Sequence, residues 1–168
     1  GIIRYDFTGG YMVTGTYDGS MRTRGIDMGG SWSSTLLDGA AGGGHGVTLV
    51  HGMLPGVAVA GWREEPDGAL LPVLIAYSGA LGDPFGPLQK RWELVLPSDS
   101  EAGFESVIQT PEDLGLAAVV NQGGKATVHK VDVNGYWMWE RQPTQAAQPF
   151  RISALAPGLG DGIAAGGD

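Results

Sequence analysis

The chain has 168 residues, 42 % of them hydrophobic, with a formal net charge of −8, a pI near 4.7 and no cysteine. That apolar content is enough for one core without disulfide or metal staples. The missing cysteines exclude disulfide frameworks, thiolate nucleophiles and zinc–thiolate sites while leaving the compartment open. The acidic balance argues against nucleic acid and anionic membranes as partners, because both are recognised through a basic field. The opening Gly1-Ile2-Ile3-Arg4 lacks the basic start and apolar core of a secretory signal, and the most apolar windows, 46–62 and 69–81, are interrupted by Pro55 and several glycines or are too short to span a bilayer.

In chain order, short β-rich runs alternate with glycine. Ile2 to Thr8 and Tyr11 to Tyr17 form a first hairpin at Gly9-Gly10, and Asp18-Gly19 marks the next turn. Ser20 to Met28 and Ser31 to Leu37 are further strands. Asp38 to Gly46, rich in Gly and Ala without periodicity, reads as a mobile loop; it lacks the lysine and hydroxyl residue of a phosphate-cradling loop. Val47 to His51, Val57 to Glu64 and Ala69 to Ser78 are nearly continuous in apolar residues, so both of their faces should be covered, with Pro66-Asp67-Gly68 turning between the last two.

Gly82 to Pro87 reads as a connection and Arg91 to Leu96 as a strand. Ser98-Asp99-Ser100-Glu101 resembles a capping box that starts a short helix through Ile108, and Thr110-Pro111-Glu112-Asp113 repeats the helix-start signal. Phe150 to Leu155 is a last strand. The expected organisation is a single all-β domain over 1–156, an antiparallel β-barrel or β-sandwich with one or two short helices, followed by a flexible Gly/Ala-rich tail over 157–168.

Leu116 to Gln142 is the stretch whose turns set a register. Gly123-Gly124 and Asn134-Gly135 both read as two-residue hairpin turns with positive φ, which makes a three-strand meander. A two-residue turn at Asn134-Gly135 pairs Val133 with Tyr136, Val131 with Met138 and His129 with Glu140 on one face. The other face pairs Asp132 with Trp137, Lys130 with Trp139 and Val128 with Arg141.

Two candidate sites follow. His129 beside Glu140 has the chemistry of an acid–base pair, since a carboxylate raises an imidazole's pKa and fixes its tautomer, and Ala118 in the next strand leaves room for a substrate. Trp137 and Trp139, with Lys130 between them and Tyr136 and Met138 adjacent, form an amphipathic surface suited to a flat ligand or another subunit. His45, His51 and Asp38 contain ligand atoms for a metal, yet Gly46 interrupts the alternation between the histidines, and neither a metal nor any other cofactor is expected. Trp32, Trp62 and Trp92 are evenly spaced, but their surroundings share too little to be a repeat.

The leading functional expectation is a β-barrel protein that binds a small apolar or aromatic ligand in a cavity lined by some of Trp32, Trp62, Tyr77, Trp92, Tyr136 and Met138. The alternatives are a structural subunit of a homo-oligomeric assembly, and a cofactor-independent cyclase or isomerase in which His129 and Glu140 move a proton. The sequence leaves the question of catalysis open.

Overall fold

The computed structural model describes residues 2–5, 10–17, 19–26, 32–51, 56–78, 89–97, 103–143, 150–158 and 162–167; for 2–5, 10–13, 17, 23–26 and 32–40 it describes the backbone alone. The fold is all-β, with three antiparallel sheets. In the largest, seven strands follow one another in chain order: β1 (Ile2–Tyr5), β2 (Gly10–Tyr17), β3 (Ser20–Ile26), β4 (Trp32–Val50), β5 (Gly56–Glu64), β6 (Leu70–Ser78) and β7 (Gln89–Val95). A four-stranded sheet has the order β11 (Trp137–Arg141), β10 (Lys125–Val131), β9 (Leu116–Gln122), β8 (Phe104–Gln109), and β12 (Ile152–Pro157) pairs with β13 (Ile163–Gly167). No sheet closes into a barrel among the described residues.

Three apolar clusters hold these sheets. The first joins Val50, Ala58, Ala60 and Leu74 of the large sheet to Phe104, Val107, Leu116, Ala118, Val120 and Val131 of the four-stranded sheet, with Trp92, Leu94 and Leu96 against it. The second gathers Val57, Val59, Val73, Ile75 and Tyr77 on the opposite face of the large sheet, together with Met21 of β3. The third lies between the four-stranded sheet and the β12–β13 hairpin, where Ala117, Val119, Ala126 and Val128 meet Ile152 and Leu155. Strands β5, β6 and β9 are therefore covered on both sides, which is why their sequences are continuously apolar rather than alternating.

Several expectations are corrected. Asp38 to Gly46 is not a loop but the middle of the 19-residue β4, which pairs with β3 in its first part and with β5 from Gly42 onward. Glycine is required there by contact rather than by freedom. A Cβ on Gly43 would run into Thr16 of β2 and the indole of Trp62, and one on Gly44 into Thr14.

The helix expected to run through Ile108 is absent, because Phe104–Gln109 is strand β8, and Thr110 to Asp113 is part of a turn. The capping residues meet without capping a helix: the Thr110 hydroxyl donates to the Asp113 carboxylate instead of accepting a backbone N–H, and the chain then reverses through Leu114, whose φ is 54°. The tail expected to be flexible contains β13, paired with β12 from Pro157↔Ile163 to Ile152↔Gly167. The proposed connection at Gly82 to Pro87 and the capping box at Ser98 to Glu101 lie outside the described residues.

Side-chain amides join the layers. Asn121 of β9 accepts the Ile152 N–H at 2.9 Å and donates to the Ile152 carbonyl at 2.8 Å, so one amide docks the β12–β13 hairpin as a strand partner would. Gln109 does the same for His51 at the end of β4, accepting at 2.8 Å and donating at 2.9 Å.

Candidate functional site

The meander forms as its turns dictate at one end and departs from them at the other. Gly123 and Gly124, at φ 58° and 75°, make the two-residue turn, and β9 and β10 pair from Gln122↔Lys125 to Leu116↔Val131, which brings Ala118 opposite His129. At the second turn the pairs Val128↔Arg141, His129↔Glu140 and Lys130↔Trp139 form as expected, but the next is Val131↔Trp137. Met138 is the extra residue of a β-bulge.

The cause is Asp132. Its carboxylate accepts the N–H groups of Asn134 and Tyr136, both at 2.8 Å, while its carbonyl accepts Gly135 N–H at 3.0 Å. Asp132 thus closes a longer loop over Asp132 to Tyr136, in which Gly135 alone takes positive φ, 86°. Trp92 of β7 braces this loop from the other sheet, donating its indole N–H to the Val133 carbonyl at 3.1 Å.

The bulge separates the two tryptophans expected on one surface. Trp139 remains on the face of Lys130, packs into the third cluster and carries the Arg141 guanidinium 5.0 Å from its ring centroid. Trp137 is turned to the face of His129, with ring centroids 5.2 Å apart. The expected interleaved surface of Trp137, Trp139 and Lys130 is therefore not formed.

Lys130 is not a surface cation either. Its side chain is 5 % exposed, and its ammonium donates to Asp113 at 2.8 Å and to the Thr110 hydroxyl. Partial burial would raise the Asp113 pKa, but hydrogen bonds from Lys130, Thr110 and the Gly115 N–H outweigh it and bring the group down to about 2. This triad ties the β8–β9 turn to β10. The sequence carried its signal in Thr110 and Asp113, whose spacing resembles a helix cap.

His129 is 8 % exposed and lies between Phe104, at 5.8 Å and nearly perpendicular, and Trp137. Its Nδ1 has no hydrogen-bond partner and stands 3.9 Å from Oε2 of Glu140, which is 59 % exposed. Burial lowers the imidazole's pKa, and the Glu140 charge opposes this only in part. The pair is adjacent, as the register requires, but at 3.9 Å it is not hydrogen-bonded, and Nδ1 is closed off from solvent as well as unpartnered.

Trp137 belongs to a run of exposed apolar side chains: Tyr136, Trp137 and Met138 are 73 %, 46 % and 48 % exposed. Of the other proposed cavity residues, the Trp32 side chain lies outside the described residues and the rest sit in different surroundings. Tyr77 lies in the second cluster, Trp92 packs against the first, and Trp62 contacts the backbone near Gly43 and Gly103. An open depression of about 630 Å³ elsewhere is lined by Glu64 and by Arg63, Glu65, Lys90 and Glu93, the last four of which are joined in Arg63–Glu65, Arg63–Glu93 and Lys90–Glu93 bridges.

No group of three or more metal-ligating side chains occurs among the described residues; His45 sits at a β4 bulge and faces Glu105 at 3.6 Å. No described helix is long and apolar enough to cross a membrane. No family model, curated protein or solved structure matches the chain.

Proposed function

We propose that this protein binds a small molecule on an open aromatic rim, formed by Tyr136, Trp137 and Met138 beside Glu140, rather than inside a barrel. The observation that carries this reading is the exposure of three consecutive large apolar side chains, of which Trp137 packs edge to face on the buried His129 imidazole. Two layers packed through the first cluster, with the rim at an edge strand, support a sandwich rather than a barrel as the underlying architecture. A second copy of the chain is the other occupant this patch would suit, because β11 is the edge of its sheet. The bulge at Met138 and the charges of Glu140 and Arg141 oppose simple strand addition there, which favours the small ligand.

The test is a ligand-observed magnetic resonance screen of small aromatic and aliphatic compounds against the wild type and Trp137→Ala, with light scattering on the same samples. Hits lost in the variant support the rim. Hits unaffected by the substitution, or a stable dimer whose formation depends on Trp137, sink the small-molecule reading.

A further inference from the structure

We infer that the ligand of this rim is an organic cation, an alkylammonium head seated on the Trp137 indole with Glu140 as its counter-ion. The inference rests on the rim being a binding site and adds the charge of its occupant.

The carboxylate beside the rim is unmatched. Glu140 is exposed, and the one basic side chain described beside it is His129, which is held neutral by burial. The cations nearest in sequence are committed to the other face of the sheet: Arg141 lies over Trp139, and Lys130 is tied to Asp113 and Thr110. Among the described residues, then, the chain supplies a negative group near an exposed indole and no cation to neutralise it there.

Ring electronics favour a cation as well. The faces of Trp137 and Tyr136 present negative quadrupole density, which attracts a cation and gives nothing comparable to an anion. A neutral polyol would use the carboxylate as an acceptor, whereas a cation uses the carboxylate and the ring faces together. The net charge of −8 adds a general attraction for such a ligand. A small head rather than a basic peptide is the occupant chosen, because the bulged edge resists the addition of a strand.

The experiment titrates the full chain with choline and with its neutral isostere 3,3-dimethylbutan-1-ol at constant ionic strength, following the resonances of the added compound in the wild type and in each variant. Choline should bind about tenfold more tightly than the alcohol. Glu140→Gln should remove that preference while leaving the alcohol's weak affinity unchanged, and Trp137→Leu should abolish both. Glu140 is exposed, so its variant is expected to fold. Equal affinities, or a choline response insensitive to Glu140→Gln or Trp137→Leu, overturn the cation and leave the rim standing if the compound screen still maps to Trp137. If neither probe binds the cation inference fails, and if the screen also leaves Trp137 unmoved the rim fails with it.

Discussion

The imidazole of His129 meets the indole of Trp137 edge to face, with ring centroids 5.2 Å apart, although strict alternation along a two-residue hairpin places these residues on opposite faces of the sheet. One extra residue, Met138, turns Trp137 over. The same event leaves Glu140 opposite His129, because the bulge lies between that pair and the loop.

Acid lability is the first consequence. The folded pKa of His129 lies below its ordinary value of 6.5, so the unfolded chain holds the proton more tightly. This contribution to stability is complete above that value, declines as pH falls from 6.5 to the folded pKa, and levels off below it. Urea midpoints measured from about pH 8 down to about pH 5 should fall, and His129→Leu should flatten the decline. A wild-type profile as flat as the variant's contradicts the buried neutral imidazole.

The second prediction tests the loop that produces the bulge. Gly135 combines a φ of 86° with a position where a Cβ would enter the Trp92 ring. Gly135→Val should cost about 2–3 kcal/mol, from the disfavoured backbone and the displaced indole together. In a Trp92→Ala background the steric part disappears, so the two losses should be less than additive. Full additivity by chemical denaturation means the indole does not brace the loop.

How far the sequence reveals this fold depends on whether a signal is local. Gly123-Gly124 encodes its turn completely, so the register of β9 on β10 is readable in advance. Asn134-Gly135 is as strong a signal, yet Asp132, two residues earlier, takes the backbone N–H groups that a two-residue turn would leave to the strands. The His129 and Glu140 pairing survives because it lies beyond the disturbance; the Trp137 and Trp139 surface does not. The glycines of β4 mislead for a different reason: they answer to Thr14, Thr16 and Trp62, neighbours from other strands that no window of sequence contains. Ile163 to Gly167, with little to bury, forms a strand because β12 offers it a partner.

Docking of that hairpin gives the third prediction. Asn121 supplies both hydrogen bonds to the Ile152 backbone, and Asn121→Leu removes both while leaving the Ile152 amide buried. A loss of about 1–3 kcal/mol is expected. It should be regional: amide exchange should accelerate in 150–158 and 162–167 well before it changes in β5 and β6. Uniform acceleration through the molecule would show that the hairpin is not a separable unit.

The last prediction concerns the ion pair of Lys130 and Asp113, whose members are unequally buried: the lysine side chain is 5 % exposed and the aspartate 42 %. Removing the aspartate strands an ammonium in the interior, whereas removing the lysine leaves a carboxylate that water can solvate. Asp113→Ala should therefore cost about 3 kcal/mol, and Lys130→Met, which keeps the apolar stem, about 1 kcal/mol or less. The pair also has its own pH window. Because the folded pKa of Asp113 is about 2 against an ordinary 3.8, its contribution is complete above 3.8 and is lost as pH falls toward 2, well below the region governed by His129. Urea denaturation of both variants near neutral pH settles the order. Equal losses would mean that the ammonium escapes to solvent when its partner is removed, and that the triad with Thr110 does not fix the β8–β9 turn to β10.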